Sequence, residues 1–188
     1  SIRGAFLDVL TKNPGQLSID FAGWLPIGET AREELGRNMD AIGVSHIAVC
    51  VRDMDKSLAF YRDILGMKVD KDQIEDTTRG GLPHTYKHRR KTRRTVHVRY
   101  GDGHTIPSLV LTSHPGEAAD GQPIKLDQIG ISHLSFTVKN VKALGEELVA
   151  KGVKLAAPID AFKNPKGQVS SIFVYDPDGI LLQFDDHG

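Results

Sequence analysis

The chain repeats one pattern: Gly43-Val44-Ser45-His46-Ile47-Ala48-Val49 returns as Gly130-Ile131-Ser132-His133-Leu134-Ser135-Phe136. In both copies apolar residues alternate with polar or small ones, a spacing typical of strands with one buried face. The apolar residues must face a core, so His46 and His133 face away from it. A repeat that brings two imidazoles to equivalent places predicts that they share one metal ion between two modules.

The elements that follow the two histidine strands are also alike. A helix is predicted over residues 55–65 and ends at Gly66, and another is predicted over residues 141–150 and ends at Gly152. Strands are predicted over residues 68–71, 95–100 and 106–112 in the first half and over 154–155, 169–175 and 180–184 in the second. The order of strand, helix and three strands therefore occurs twice.

This repeat sets the domain organisation. The first module covers residues 43–114, a Gly- and Pro-containing linker covers 115–129, and the second module covers 130–188. Residues 1–42 precede the repeat and contain a capping-box pattern, Thr30 followed by Glu33, so they predict a helical extension. We expect its apolar residues to pack on a sheet edge or a partner subunit, or to cover the substrate as a lid.

Composition limits the classes of function. The 188 residues include 24 basic and 24 acidic side chains, so no net charge favours nucleic acid or anionic lipid as a partner. A single cysteine excludes an internal disulfide framework, and no apolar run approaches the length of about 20 residues that a membrane span needs. These features predict a cytoplasmic protein without a nucleic-acid or membrane partner.

Three phrases of the chain resemble the vicinal oxygen chelate superfamily. They are residues 44–49, the helix end Phe60-Tyr61-Arg62-Asp63-Ile64-Leu65-Gly66, and the turn Asp176-Pro177-Asp178-Gly179 followed by a strand. The superfamily includes glyoxalase I, extradiol ring-cleaving dioxygenases, and fosfomycin and bleomycin resistance proteins. The resemblance implies an α+β fold in which two tandem βαβββ modules form a half-barrel cleft that holds a divalent metal ion, with Fe, Zn, Ni, Co and Mn all open.

The resemblance also implies where the metal ligands lie. The superfamily draws them from the first and last strand of each module, which here correspond to His46, a position near Val110, His133 and Gln183. Gln183 stands where the pattern usually has glutamate, and alternation turns it toward the cleft. An amide supplies less charge than a carboxylate, which disfavours ferrous oxygenase chemistry. Asp185, on the same face, is interpreted as a solvated carboxylate.

Proton carriers and anion-binding groups complete the predicted site. Alternation turns His97 and Arg99 toward the cleft on one strand and Tyr175 on another, so His97 and Tyr175 are candidate acid/base residues. The alternative for each is a polar cross-strand contact without a catalytic role. The basic segment, residues 87–94, holds six Lys or Arg, among them Arg93 and Arg94. It predicts binding of an anionic substrate group, with a solvated loop as the alternative.

These observations favour a metal-dependent enzyme with glyoxalase-like isomerase or lyase chemistry on a small molecule with vicinal oxygens. An extradiol-type ring-cleaving dioxygenase is the first alternative, and a non-catalytic small-molecule binding or drug-resistance protein is the second. Open sheet edges and the N-terminal segment predict a homodimer.

Overall fold

The computed structural model describes residues 43–101 and 106–186. The predicted helical extension, residues 1–42, lies outside the described residues, as does the tip of the predicted turn after Gly101. Across the described ranges, no helix has the length and apolar character that crossing a membrane requires.

The first module contains four described strands, a helical segment and a short 3-10 helix, Leu82–His84. The bounds of the main elements are β1 His46–Cys50, α1 Met54–Leu58, β2 Lys68–Asp76, β3 Thr92–Arg99 and β4 Ser108–Ser113. Strand β1 pairs in parallel with β4, and the sheet order is β1-β4-β3-β2. The predicted strand at 106–112 starts later, because Pro107 offers no backbone N–H to a ladder. Strand β2 runs further than predicted, since its acidic residues pair with arginines of β3.

Helix α1 starts on a capped turn and changes its winding after one turn. The carboxylate of Asp53 accepts hydrogen bonds of 3.1 Å from the backbone N–H of Asp55 and of Lys56. From Ala59 to Ile64 the chain is a π-helix, whose wider turn buries the adjacent residues Phe60 and Tyr61. The single regular helix predicted over residues 55–65 is corrected here, because only its first turn is α-helical.

The second module repeats the order with one strand reduced. The bounds of its main elements are β5 His133–Thr137, α2 Val141–Ala150, β6 Ser171–Tyr175 and β7 Leu181–Asp185. Its sheet has the order β5-β7-β6, with β5 parallel to β7. The predicted strand at 154–155 is only an isolated bridge between Leu155 and Val174. Pro158 follows closely and the chain turns into a 3-10 helix, so the ladder ends there.

One buried cluster contains apolar residues of both modules. Its members include Val98 of β3 and Leu182 of β7, both fully buried. The ring centroids of Tyr100 and Phe136 lie 5.7 Å apart in an edge-to-face contact. The alternation predicted for the histidine strands is confirmed, since Val49 and Leu134 are buried while the histidine face is more exposed. The predicted α+β fold with two tandem modules is confirmed.

Candidate functional site

The two histidines have equivalent settings in the two sheets. His46 is opposite Ser108 in the parallel ladder of β1 and β4, and His133 is opposite Leu181 in that of β5 and β7. Each histidine has a serine before it, and in each pair serine Oγ lies 2.9 Å from histidine Nδ1. The serine occupies Nδ1, so Nε2 of each ring is the nitrogen available to another group.

The setting of His46 includes a second imidazole. His97 lies on β3, and its Nδ1 is 3.4 Å from the buried hydroxyl of Ser108. Burial lowers the pKa of His97 below its ordinary value, and the positive charge of Lys71 lowers it further. At neutral pH the lowered pKa favours the uncharged imidazole, which can accept a proton.

The setting of His133 is a polar network on the same face of the second sheet. Gln183 Nε2 donates to Ser171 Oγ at 3.0 Å and to Asp185 Oδ2 at 3.5 Å, and Ser135 Oγ donates to Asp185 Oδ2 at 2.5 Å. Asp185 is only 8% exposed, so its interpretation as a solvated carboxylate is wrong. The sequence held one signal for the burial of Asp185. Alternation places Asp185 on the same face as Gln183, and Ser135 lies on that face too.

Tyr175 lies at the end of β6, opposite Leu181. The ammonium of Lys125 is 5.4 Å from the centre of its ring, a cation–π contact with the linker. Phe173, two residues earlier, approaches His133 edge-on at 6.0 Å between ring centroids. Tyr175 therefore belongs to the same strand face as the neighbours of His133.

The three predicted substrate-binding arginines each have a carboxylate partner on β2. Arg93 contacts Glu75, Arg94 contacts Asp72 at 2.8 Å, and Arg99 contacts Asp70. Arg94 also reaches Asp55 at 3.2 Å, at the start of helix α1. It lies on the opposite face of β3 from His97, whereas Arg93 and Arg99 share the face of His97.

The remainder of the basic segment contacts the linker. Lys87 and His88 both approach Oδ2 of Asp120, at 2.5 and 3.2 Å, and Arg90 contacts Glu117 at 3.0 Å. The charge of the segment is thus partly balanced by acidic side chains that follow the first module. The solvated-loop alternative omitted these ion pairs, which sequence alone does not reveal.

A cavity of about 280 Å³ lies beside His133. Its wall is mainly apolar and includes residues from both modules. A second cavity of about 210 Å³ also has His133 in its wall, together with Ala48 and Cys50 of β1. His46 lines neither of these two cavities. The wall of the cavity of about 280 Å³ includes Ile47, Val98, Tyr100, Leu109, Leu134 and Phe136.

Within residues 43–101 and 106–186, no three His, Cys, Asp or Glu side chains are grouped closely enough to hold a metal ion. Gln183 is outside that set of residue types. A metal held as the sequence predicts would therefore depend on the amide oxygen of Gln183 as well as on imidazole nitrogen.

Solved structures share this fold. A trypanothione-dependent glyoxalase I from Leishmania major is 25% identical, with a TM-score of 0.53, over 77% of this chain and 86% of that chain. A glyoxylase/bleomycin resistance protein/dioxygenase domain from Frankia sp. EAN1pec is also 25% identical, with a TM-score of 0.53, over 76% and 95%. A glyoxalase family protein from Bacillus cereus has a TM-score of 0.60 at 16% identity, over 79% and 95%. No curated protein matches the chain.

The match to a family model covers both modules. The model of the Glyoxalase/Bleomycin resistance protein/Dioxygenase superfamily aligns with residues 43–184, from the start of the first histidine pattern to within β7. The region includes both Ser-His pairs and Gln183, and it agrees with the resemblance that three phrases of the sequence indicated. On this evidence the chain belongs to the Glyoxalase/Bleomycin resistance protein/Dioxygenase superfamily.

Proposed function

We propose that the protein is a divalent-metal-dependent enzyme of the glyoxalase-like isomerase or lyase type, acting on a small molecule with vicinal oxygens. The observation that carries this proposal is the pair of equivalent Ser-His contacts, each 2.9 Å long at Nδ1. A hydrogen bond at one ring nitrogen orients the other toward a metal ion, so the repeated contact suits a pair of ligand histidines.

The donor chemistry of the residues suits a divalent first-row metal ion. His46 and His133 would supply imidazole nitrogen and Gln183 amide oxygen, a neutral set that leaves positions open for substrate. A bound ion of this kind would act as a Lewis acid toward two adjacent substrate oxygens. Homodimer formation remains part of the proposal, since β1 and β5 lie at the edges of their sheets among the described strands.

Proton transfer is assigned to side chains of the two sheets that carry His46 and His133. His97 is the proposed base, because its lowered pKa keeps the ring uncharged near neutral pH. Tyr175 is the proposed partner acid on the second sheet. Arg93 and Arg99 share the face of His97, which supports a role in binding an anionic group of the substrate. Arg94 lies on the other face, and its predicted role in substrate binding stays a prediction.

The apolar cavity beside His133 favours a second candidate, a non-catalytic binder of small molecules. Such a protein would use the cavity for an apolar group and would need no metal. The two candidates differ in a property that can be measured directly, the metal content of the purified protein.

Metal analysis of protein purified without chelator tests the proposal. Stoichiometric zinc, nickel, cobalt or manganese is expected, and each of His46→Ala and His133→Ala should abolish it while the protein remains folded. His84→Ala is the matched control, because His84 is an exposed histidine outside both faces. Iron would instead indicate a ring-cleaving dioxygenase. Metal that survives both substitutions would refute the shared site, and absence of metal in the native protein would favour the binder.

A further inference from the structure

The nitrogen and the oxygen of the Gln183 side-chain amide differ in their hydrogen bonding. Both of its hydrogen bonds are donated by Nε2, to Ser171 Oγ and to Asp185 Oδ2. Within the described part of the chain, Gln183 Oε1 accepts none. An amide group has two donor hydrogens and one acceptor oxygen. The sheet therefore uses the donors, and the oxygen is the atom left to meet a ligand.

Asp185 is the group that selects this orientation. Its carboxylate is buried at 8% exposure and accepts the Ser135 hydroxyl at 2.5 Å, a contact that holds Oδ2 in place from the neighbouring strand. An ionised carboxylate can only accept hydrogen bonds. Turning the Gln183 amide over would bring Oε1 against Oδ2, two acceptors without a hydrogen between them. The observed orientation is thus the favoured one.

We infer that Asp185 is a positioning residue of the site, which acts through Gln183 by holding Nε2 and so leaves Oε1 as the amide atom that can bind a metal ion. This inference rests on the proposed function, in which Gln183 is a ligand of the metal. A neutral oxygen presented in this way suits a hard cation. In this inference Asp185 does not hold the metal ion itself, and the hydroxyls of Ser171 and Ser135 contact Gln183 and Asp185 respectively.

A double-mutant cycle tests the inference. Affinity for Co²⁺ is measured by calorimetry for the native protein, Asp185→Asn, Gln183→Glu and the double variant. In the native background Asp185→Asn lets the amide turn over, and the affinity should fall by about 10- to 100-fold, as for other supporting residues of metal sites. In the Gln183→Glu background there is no amide to orient and two carboxylates lie together, so Asp185→Asn should leave the affinity unchanged or raise it. A similar loss in both backgrounds would overturn the inference, because Asp185 would then be a ligand itself.

The same four proteins, free of metal, separate this inference from the proposed function. If none of them binds Co²⁺, the metal-dependent function fails, and urea unfolding decides the positioning role. Asp185→Asn should lower stability in the native background and raise it in the Gln183→Glu background, where it removes a like-charge contact. The same sign in both backgrounds would refute the positioning role.

Two further variants test the effect of charge alone and replace Asp185→Asn if it does not fold. Asp186→Asn makes the same change of net charge at an exposed position one residue away, and it should leave affinity and stability unchanged. An effect as large as that of Asp185→Asn would contradict the inference. If Asp185→Asn does not fold, Ser171→Ala removes the other acceptor of Gln183. That variant should weaken Co²⁺ binding in the native background but not in the Gln183→Glu background, and an equal loss in both would overturn the inference.

Discussion

Tyr61 donates a hydrogen bond of 2.9 Å to Oδ2 of Asp176, a residue 115 positions further along the chain. The contact joins the π-helical turn of the first module to the turn before β7 in the second. The other carboxylate oxygen of Asp176 accepts from the backbone N–H of Asp178 at 2.9 Å and of Ile180 at 2.8 Å. One buried carboxylate thus both shapes a turn and contacts the other module.

Tyr61→Phe is expected to destabilise the protein by about 1–3 kcal/mol, because it leaves a buried acceptor without its donor. The measurement is urea unfolding at neutral pH. Tyr86→Phe is the matched control, since the buried Tyr86 hydroxyl has no hydrogen-bond partner among the described residues. Equal effects of the two substitutions would contradict the importance of the contact between the modules.

The buried carboxylate of Asp176 predicts a pH dependence of stability. Burial raises the pKa of Asp176 in the folded protein above its ordinary value of 3.8. The folded state therefore holds the proton more tightly, and this contribution is complete below the ordinary pKa and lost as pH rises through the folded pKa. Relative to Asp176→Asn, which does not titrate, the native protein should lose stability as pH rises from about 3 to neutral. A constant difference between the two proteins would count against the raised pKa.

The contact between the basic segment and the linker gives a prediction about local motion. Lys87 and His88 lower the pKa of Asp120 to about 2, so its carboxylate stays ionised and paired with Lys87 until strongly acid pH. The groups are exposed, so Asp120→Asn should leave the midpoint of thermal unfolding almost unchanged. It should increase the rate of tryptic cleavage in residues 87–91, because the loop loses its attachment. Asp127→Asn is the control, and an equal increase there would refute the prediction.

The environment of His97 predicts how its proton is held. Burial is the largest cause of its lowered pKa, and the neighbouring ammonium of Lys71 is the next. Lys71→Met removes the positive charge, so the pKa of His97 should rise but remain below the ordinary value of 6.5. The measurement is an NMR titration of the His97 ring in metal-free protein. Unchanged titration would show that Lys71 does not act on the ring.

The sequence predicted the strand faces well because alternation depends only on which residues are buried. It also predicted the end of α2 from a local signal, because Gly152 has a φ of 80°, a conformation that suits glycine. The π-helix was missed because apolar spacing of 3.6 residues is assumed for every helix. The burial of Asp185 and the ion pairs of Arg94 were missed because both depend on residues far away in the chain.

The parallel pairing of the histidine strands has a consequence for how the chain folds. In the part of the chain that the structure describes, each histidine strand pairs only with the last strand of its own module, His46 with Ser108 and His133 with Leu181. The chain between these paired strands forms a long loop, and closing it costs chain entropy before the stabilising contacts form. The strands of the β3–β4 and β6–β7 pairs are closer in sequence. We expect the antiparallel pairs to form first and the histidine strands to dock onto them. During synthesis, a whole module must therefore be complete before the histidine strand of that module can join its sheet.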